Sequence, residues 1–180
     1  WAKANLEEFE VIFCDTGWEH DLTYQHIQQI EKVLEVPIKR LKGKFEGFEH
    51  MAIDKKRVPS TKARFCTDHL KIRPMVDYIL SIKEDVTIYQ GIRREESKSR
   101  SIMSKVDDYF RQYEGAKKPL YAKKRVFEHI QNFDVFVHRP IFYWSANKVF
   151  DYIKKAGIAP NPLYKLGFSR VGCFPCVMCR

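Results

Sequence analysis

Short apolar runs that stop at small or charged turns alternate along the chain with stretches whose apolar residues recur every three or four positions. Residues 10–14 read Glu-Val-Ile-Phe-Cys and stop at Asp15-Thr16-Gly17, which predicts a buried strand running into a loop. The next stretch sets Leu22, Ile27, Ile30, Val33 and Leu34 near one face of a helix that Pro37 helps to end. Residues 36–41 are expected as a second strand. Residues 43–59, polar and holding Gly43 and Gly47, are expected as a loop or hairpin. Residues 67–82 predict a helix capped by Thr67, with Leu70, Met75, Val76 and Ile79 inward. Pro74 is expected to kink it or move its start. Val86–Tyr89 predicts a strand entering Gly91-Ile92-Arg93, and residues 134–138 another. Between them, residues 104–133 are charged and aromatic and are expected as a helical excursion. Residues 145–155 predict a helix capped by Ser145 and stopped by Gly157, and from Ala159 onward the chain reads as loop.

Strands alternating with helices imply an α/β fold, a mostly parallel twisted sheet with helices on both faces and a cysteine-rich loop at the end. Ligands of such sheets bind beyond the carboxyl ends of the strands. Asp15-Thr16-Gly17 and Gly91-Ile92-Arg93 both follow strands, so they are expected on one rim.

Composition narrows the class. A chain of 180 residues suits one domain with a real core, and 44% hydrophobic residues exclude a disordered chain. No apolar run approaches the roughly 18 residues of a membrane span, and Trp1-Ala2-Lys3-Ala4-Asn5 has no signal-peptide pattern. The expectation is a soluble, cytoplasmic protein without a membrane partner. Net charge is +9, which fits a nucleic-acid partner, a site for a highly charged nucleotide, or simply a basic solvated surface.

Five cysteines, Cys14, Cys66, Cys173, Cys176 and Cys179, do not form a disulfide framework: their number is odd, and three fall within seven residues. Cys173-x-x-Cys176-x-x-Cys179 gathers three thiols, and thiolates suit iron–sulfur clusters and zinc. A closed site needs a fourth ligand. Cys66, in Ala63-Arg64-Phe65-Cys66-Thr67 before a helix, is the best candidate, because a helix start favours thiolate. The alternative is a redox-active or merely reduced thiol cluster. Cys14, inside an apolar strand, reads as a small buried hydrophobe.

At a strand end, Asp15 can accept from a ribose hydroxyl or adenine, and Gly17 lets a backbone come close; the plain alternative is a turn. In Gly91-Ile92-Arg93-Arg94-Glu95-Glu96-Ser97-x-x-Arg100 the glycine permits approach, the arginines offer forked donors for phosphate or sulfate, and Glu95 or Glu96 is placed to orient an arginine. A solvated helix start with charge pairs is the competing reading. Ser169 and Arg170, in the turn-rich run from Asn161 to Gly172, are placed to contact an anion or only to shape the cysteine loop. His20, just after Asp15-Thr16-Gly17, is a weak site candidate; the other histidines show no ligand spacing.

Together these segments resemble the phosphoadenosine phosphosulfate (PAPS) reductase family. The resemblance rests on Val11-Ile12-Phe13-Cys14-Asp15-Thr16-Gly17 with Glu19 and Tyr24, and on Ala63-Arg64-Phe65-Cys66-Thr67 with Lys71. It continues with Gly91-Ile92-Arg93 with Glu96, Ser97 and Arg100, then Pro140-Ile141-Phe142-Tyr143-Trp144 before a helix, then Asn161-Pro162-Leu163-Tyr164 through Gly172-Cys173-Phe174-Pro175-Cys176. It covers nearly the whole chain in the family's order. It implies an adenine-nucleotide α-hydrolase-like fold that binds ATP, adenylyl sulfate or PAPS. The nucleotide-binding residues carried over are Asp15, Thr16, Gly17, Arg64, Lys71, Gly91, Arg93, Arg100, Ser169 and Arg170. Cys66, Cys173, Cys176 and Cys179 are carried over as ligands of a [4Fe–4S] cluster or Zn2+.

Family members open with a strand, a Ser-Gly-Gly-Lys-Asp-Ser-type phosphate loop and a helix. This sequence has no such loop, and Trp1 to Asn5 resembles the tail of that helix. The expectation is a single domain over residues 1–180, incomplete at the N-terminus and, since it stops just after Cys179, at the C-terminus. The family's nucleophilic cysteine, in a Glu-Cys-Gly-x-His-type segment, is expected outside this chain. The resemblance implies reduction of the activated sulfate to sulfite with a thioredoxin-like donor. A single Cys66 where iron–sulfur relatives carry a Cys-Cys pair, and the added Cys179, also resemble PP-loop sulfur-transfer proteins of DNA phosphorothioation. An ATP pyrophosphatase acting on nucleic acid, or a zinc-stabilised nucleotide-binding module, are therefore the alternatives.

Overall fold

The computed structural model describes residues 1–111, 122–176 and 178. The chain divides into two compact units, one from Trp1–Asp77 with Gly157–Arg180 and one from Tyr78–Ala156.

The first unit opens with a single helical turn, α1 (Ala2–Asn5), followed by β1 (Val11–Cys14), α2 (Asp21–Leu34) and β2 (Ile38–Leu41). The strands pair in parallel, Val11 opposite Ile38 and Cys14 opposite Leu41, with α2 as the crossover that a parallel pair requires. His20 starts α2: its Nδ1 accepts from the Leu22 N–H, and Glu35 ends the helix in the left-handed region at φ 52. Thr23 and Ile27 are the residues of α2 that are buried. Val33, expected on the inner face, is 53% exposed. Glu31 Oε1 accepts from the Ile38 N–H at 2.8 Å and so ties the end of the helix to the start of β2.

Residues 43–59 are not only loop. They hold α3 (Phe48–Asp54), entered from Gly47. Its apolar Phe48 and Met51, three apart, face a small core of Phe45, Met51 and Leu70, against which Phe48, Phe65 and Cys66 also pack. Burying each such side chain stabilises by about 1.5–3 kcal/mol relative to leaving it exposed. The next helix begins at Phe65 rather than Thr67: α4 (Phe65–Thr67) widens into a π-helical turn, Asp68–Ile72, and continues as α5 (Arg73–Ser81). Thr67 has helical angles and is not the cap. Pro74 explains the widened turn. It lacks an N–H, and its ring would meet the carbonyl four residues back, so the turn before it opens. Met75 lies half-buried, and Leu80 is buried with Val76 and Ile79. After Gly157 the chain returns to the first unit with a 3-10 turn, Pro162–Tyr164.

The second unit has a three-stranded sheet in the order β3 (Val86–Tyr89), β5 (Val135–His138), β4 (Val106–Asp108). β3 and β5 are parallel; β4 runs antiparallel to β5, with Val106 opposite His138. The antiparallel β4 corrects the expectation of helix throughout residues 104–133. That stretch also contains α7 (Lys123–Ile130), after the four-residue α6 (Lys98–Ser101). Residues 112–121 lie outside the described part. Val135 and Val137 of β5 are buried while Phe136 is 44% exposed, the alternation of a strand with one wet face. α8 (Ala146–Lys155) follows, with Ser145 Oγ accepting from the Lys148 N–H and Gly157 at φ +70 just beyond. The fold is α/β with mostly parallel pairing, as expected. Where one sheet was expected, the described strands form two, with β1 in the sheet of the first unit and β3 in that of the second.

Candidate functional site

Asp15-Thr16-Gly17 leaves the end of β1 and is gripped from both sides. The Asp15 N–H donates to the Leu41 carbonyl at 3.0 Å, extending the parallel pairing, and the Phe48 N–H donates to the Thr16 carbonyl at 2.8 Å. Gly17 has φ +62, and a Cβ there would lie 3.3 Å from the Cα of Gly47. The two backbones touch only because neither residue has a side chain. Trp18 stacks on Phe48 with centroids 5.0 Å apart.

Four polar side chains then interlock. Asp15, although 8% exposed, accepts through Oδ1 from the Gly17 N–H at 3.0 Å and the Tyr24 hydroxyl at 2.9 Å. The Tyr24 hydroxyl is also 3.0 Å from Glu19 Oε2, so one proton serves two carboxylates. Burial, then the hydrogen bond to Asp15 and the charge of Glu19, push the Tyr24 phenol far above its ordinary value and keep it a donor. Thr16 Oγ1 donates to Glu19 Oε1 at 2.7 Å. Among the described residues, Asp15 Oδ2 accepts no hydrogen bond and is not sealed from solvent. It is an acceptor on an otherwise buried residue, suited to a hydroxyl or amino donor of a ligand.

The cysteine loop meets this network. Glu19 and Cys173 form an antiparallel bridge, the Phe174 N–H donates to the Trp18 carbonyl at 2.6 Å, and the Cys173 thiol donates to Glu19 Oε1 at 3.8 Å. Phe174 sets its ring 4.9 Å from that of His20. His20, a candidate from its position in sequence, is thus occupied as the cap of α2 and as packing for the loop. Asn161 is buried. Its Oδ1 accepts from the Leu163 N–H, and its Nδ2 donates to Thr23 Oγ1 at 3.4 Å, anchoring the preceding turn to α2.

Cys14, Cys66, Cys173 and Cys176 are free thiols. Cys66 packs on the core of Phe45, Met51 and Leu70, and Cys179 lies outside the described residues. Among the described residues, no three His, Cys, Asp or Glu side chains converge on a metal position. The described thiols alone therefore do not assemble a cluster or zinc cage. Cys14 is half-buried; burial raises its pKa against the opposing charge of Lys71, and its thiol donates to the Lys71 carbonyl at 3.6 Å. Arg64 is exposed at the start of α4, and Ser169 and Arg170 are exposed in the last loop.

In the second unit Arg93 is held as expected from its neighbours. Nη1 lies 3.3 Å from Glu95 Oε2, Nε lies 3.4 Å from Glu96 Oε1, and Glu96 also pairs with Arg100. The Ser97 hydroxyl caps α6 by accepting from the Arg100 N–H. Both acids thus orient arginines at the end of β3, and the residues also form the capped helix start. Beside Gly91, Ile141 would come within 3.9 Å of an added Cβ. Sequence reasoning missed Arg139, 2% exposed, which donates through Nη1 to the Ser104 carbonyl at 2.7 Å while its N–H donates to the Lys105 carbonyl. Burial lowers its pKa, and Asp107 opposes that. The only signal was a charged residue between a strand and Pro140.

Among the described residues no helix is long and apolar enough to cross a membrane. The family model of the phosphoadenosine phosphosulfate reductase domain matches residues 2–179. A 37.8 kDa uncharacterized protein of Escherichia phage 186 is 34% identical over 184 residues, covering 100% of this chain and 45% of the relative. The adenosine 5'-phosphosulfate reductase of Streptomyces coelicolor is 25% identical over 175 residues, 97% of this chain and 64% of the relative. The chain thus spans less than two thirds of the length of either. The crystal structure of phosphoadenylyl-sulfate reductase from Candida auris, in a phosphate complex, superposes with a TM-score of 0.64 at 17% identity, over 97% of this chain and 73% of that one. That likeness shows the fold alone. The match over residues 2–179 places the chain in the phosphoadenosine phosphosulfate reductase domain family.

Proposed function

We propose that this chain is the nucleotide-binding part of a sulfonucleotide reductase and that its Asp15-Thr16-Gly17 loop receives the nucleoside of adenylyl sulfate or PAPS. The observation that carries this reading is Asp15: buried, oriented by Gly17 and Tyr24 through Oδ1, with Oδ2 left for a ligand donor. Family membership supports the substrate class, and the Streptomyces relative is named as a reductase of adenosine 5'-phosphosulfate. The arginines around Glu96 offer a separate cationic cradle for phosphate or sulfate.

In the whole protein, a cysteine thiolate attacks the sulfur of the sulfonucleotide, forming a cysteine S-sulfonate and expelling the adenosine phosphate. A dithiol donor of the thioredoxin type then releases sulfite and leaves as a disulfide. No Glu-Cys-Gly-x-His segment occurs in this sequence, so that nucleophile is proposed to lie outside it.

Calorimetry with AMP and adenylyl sulfate tests the binding step. Both ligands are expected to bind, and Asp15→Asn is expected to weaken them by about tenfold, or roughly 1.4 kcal/mol. Absence of binding by the intact protein sinks the reading. Release of pyrophosphate from ATP, in place of sulfite from the sulfonucleotide, assigns the chain instead to sulfur transfer by adenylation.

A further inference from the structure

We propose that Glu19 is a positioning residue that locks the Cys173 thiol to the Asp15–Gly17 loop. In its nucleotide aspect this rests on the reading of that loop given above. Glu19 is half-buried, yet both of its oxygens are engaged. Oε1 accepts from the Thr16 hydroxyl at 2.7 Å and the Cys173 thiol at 3.8 Å; Oε2 accepts from the Tyr24 hydroxyl at 3.0 Å and the Trp18 N–H at 3.3 Å. These donors come from the loop itself, from α2 and from the C-terminal run.

A thiol is a weak donor, and one such bond does not hold a loop. The backbone supplies the hold. The Glu19–Cys173 bridge and the 2.6 Å bond from the Phe174 N–H to the Trp18 carbonyl fix the cysteine's main chain to residues 18 and 19. The carboxylate then selects where the sulfur points. The Thr16 hydroxyl lies 3.7 Å from the same sulfur but has one proton, and its 2.7 Å contact places that proton on Glu19. Thr16 therefore fixes the carboxylate, and the carboxylate fixes the thiol. Tyr24 connects the same carboxylate to Asp15, so a ligand on Asp15 acts on an element that also holds Cys173. Cys176, three residues on, is not part of this network: its sulfur accepts from the Met178 N–H at 3.4 Å. It serves as an internal reference.

The test is the rate of iodoacetamide alkylation at each cysteine, read by mass spectrometry on reduced, chelator-treated protein. Releasing a hydrogen-bonded thiol is expected to speed Cys173 by about fivefold in Glu19→Ala, while Cys176 and Cys66 change by less than about twofold. Glu19→Gln keeps an acceptor oxygen and is expected to restore most of the slow rate. An unchanged Cys173 in Glu19→Ala overturns the proposal. So does a parallel rise at all three cysteines, which reports general loosening. If Glu19→Ala does not fold, Glu19→Gln against Glu19→Leu decides by the same comparison.

Addition of AMP, with binding followed by calorimetry on the same samples, is expected to slow Cys173 in the native protein and not in Glu19→Ala. AMP that binds without altering Cys173 overturns the connection and leaves the nucleotide reading standing. If AMP does not bind, the nucleotide reading falls and the ligand-free rates alone decide the role of Glu19.

Discussion

The Tyr24 hydroxyl lies 2.9 Å from Asp15 Oδ1, linking the first turns of α2 to the loop that ends β1. Tyr24→Phe keeps the ring and removes that donor. It leaves Asp15 oriented through the Gly17 N–H alone, and it strips one donor from Glu19. The expected outcome is a loss of stability of about 1–2 kcal/mol in urea unfolding and a drop in AMP affinity of about tenfold by calorimetry. Unchanged affinity would show that Asp15 does not need Tyr24 to present Oδ2.

Gly17 and Gly157 separate backbone strain from crowding. Their φ values are +62 and +70, but a Cβ at Gly17 would stand 3.3 Å from Gly47 Cα, whereas one at Gly157 would meet nothing within 4 Å. Gly157→Ala is expected to cost about 1–2 kcal/mol, the left-handed penalty alone. Gly17→Ala is expected to cost more, because Gly47 is backbone and cannot swing away. Urea midpoints of the two variants check this, and equal losses would mean that the loop relaxes freely.

Much of the fold was legible because its signals are local. β1 and β3 are apolar runs with turn residues after them, and α8 carries its own cap in Ser145. What was not legible is set by distant partners. β4 has three residues, two of them aspartates, and exists because β5 offers it an edge. α3 is only a short stretch after Gly47 until Phe48 and Met51 find Phe45 and Leu70. The π turn depends on how one helix makes room for Pro74. The site divides in the same way. Asp15-Thr16-Gly17 follows from its place at a strand end, but the grip of Glu19 on Cys173 joins residues 154 apart and leaves no spacing to read.

Asn161 anchors the return of the chain to the first unit. Asn161→Ala removes the acceptor for the Leu163 N–H and leaves Thr23, 7% exposed, without its donor. The expected destabilisation is about 1–2 kcal/mol from the lost cap and the unsatisfied hydroxyl. Thr23→Val, made alone and in combination, is expected to show less-than-additive loss, and full additivity would separate the two residues.

Arg93 and Arg100 share Glu96, so removing one leaves the acid still paired. Arg93→Ala is expected to cost less than about 1 kcal/mol of stability, since the Glu95 side chain is 57% exposed and returns to water. Sulfate binding, measured by titration calorimetry, is expected to weaken by about tenfold, because a forked donor is lost from the cradle. Loss of stability without any change in sulfate affinity would reduce this segment to a capped helix start.

Acid is expected to destabilise the protein above the range in which carboxylates titrate. His26, His69 and His129 all have pKa values below the ordinary 6.5, chiefly because burial disfavours the charged ring. For His129, the Lys83 charge adds to the effect, and among the described residues neither ring nitrogen has a partner. A folded value below the unfolded one means that the unfolded chain binds protons the native chain does not. Stability is therefore full above 6.5 and falls as pH drops through that value toward the folded pKa. Urea unfolding at about pH 7.5 and 5.5 should show a lower midpoint at the acid value. His129→Leu removes one of the three groups, fills the same apolar space beside Phe133, and is expected to show a shallower loss. A variant that loses as much stability on acidification as the native protein would place the proton uptake elsewhere and return His129 to a packing role.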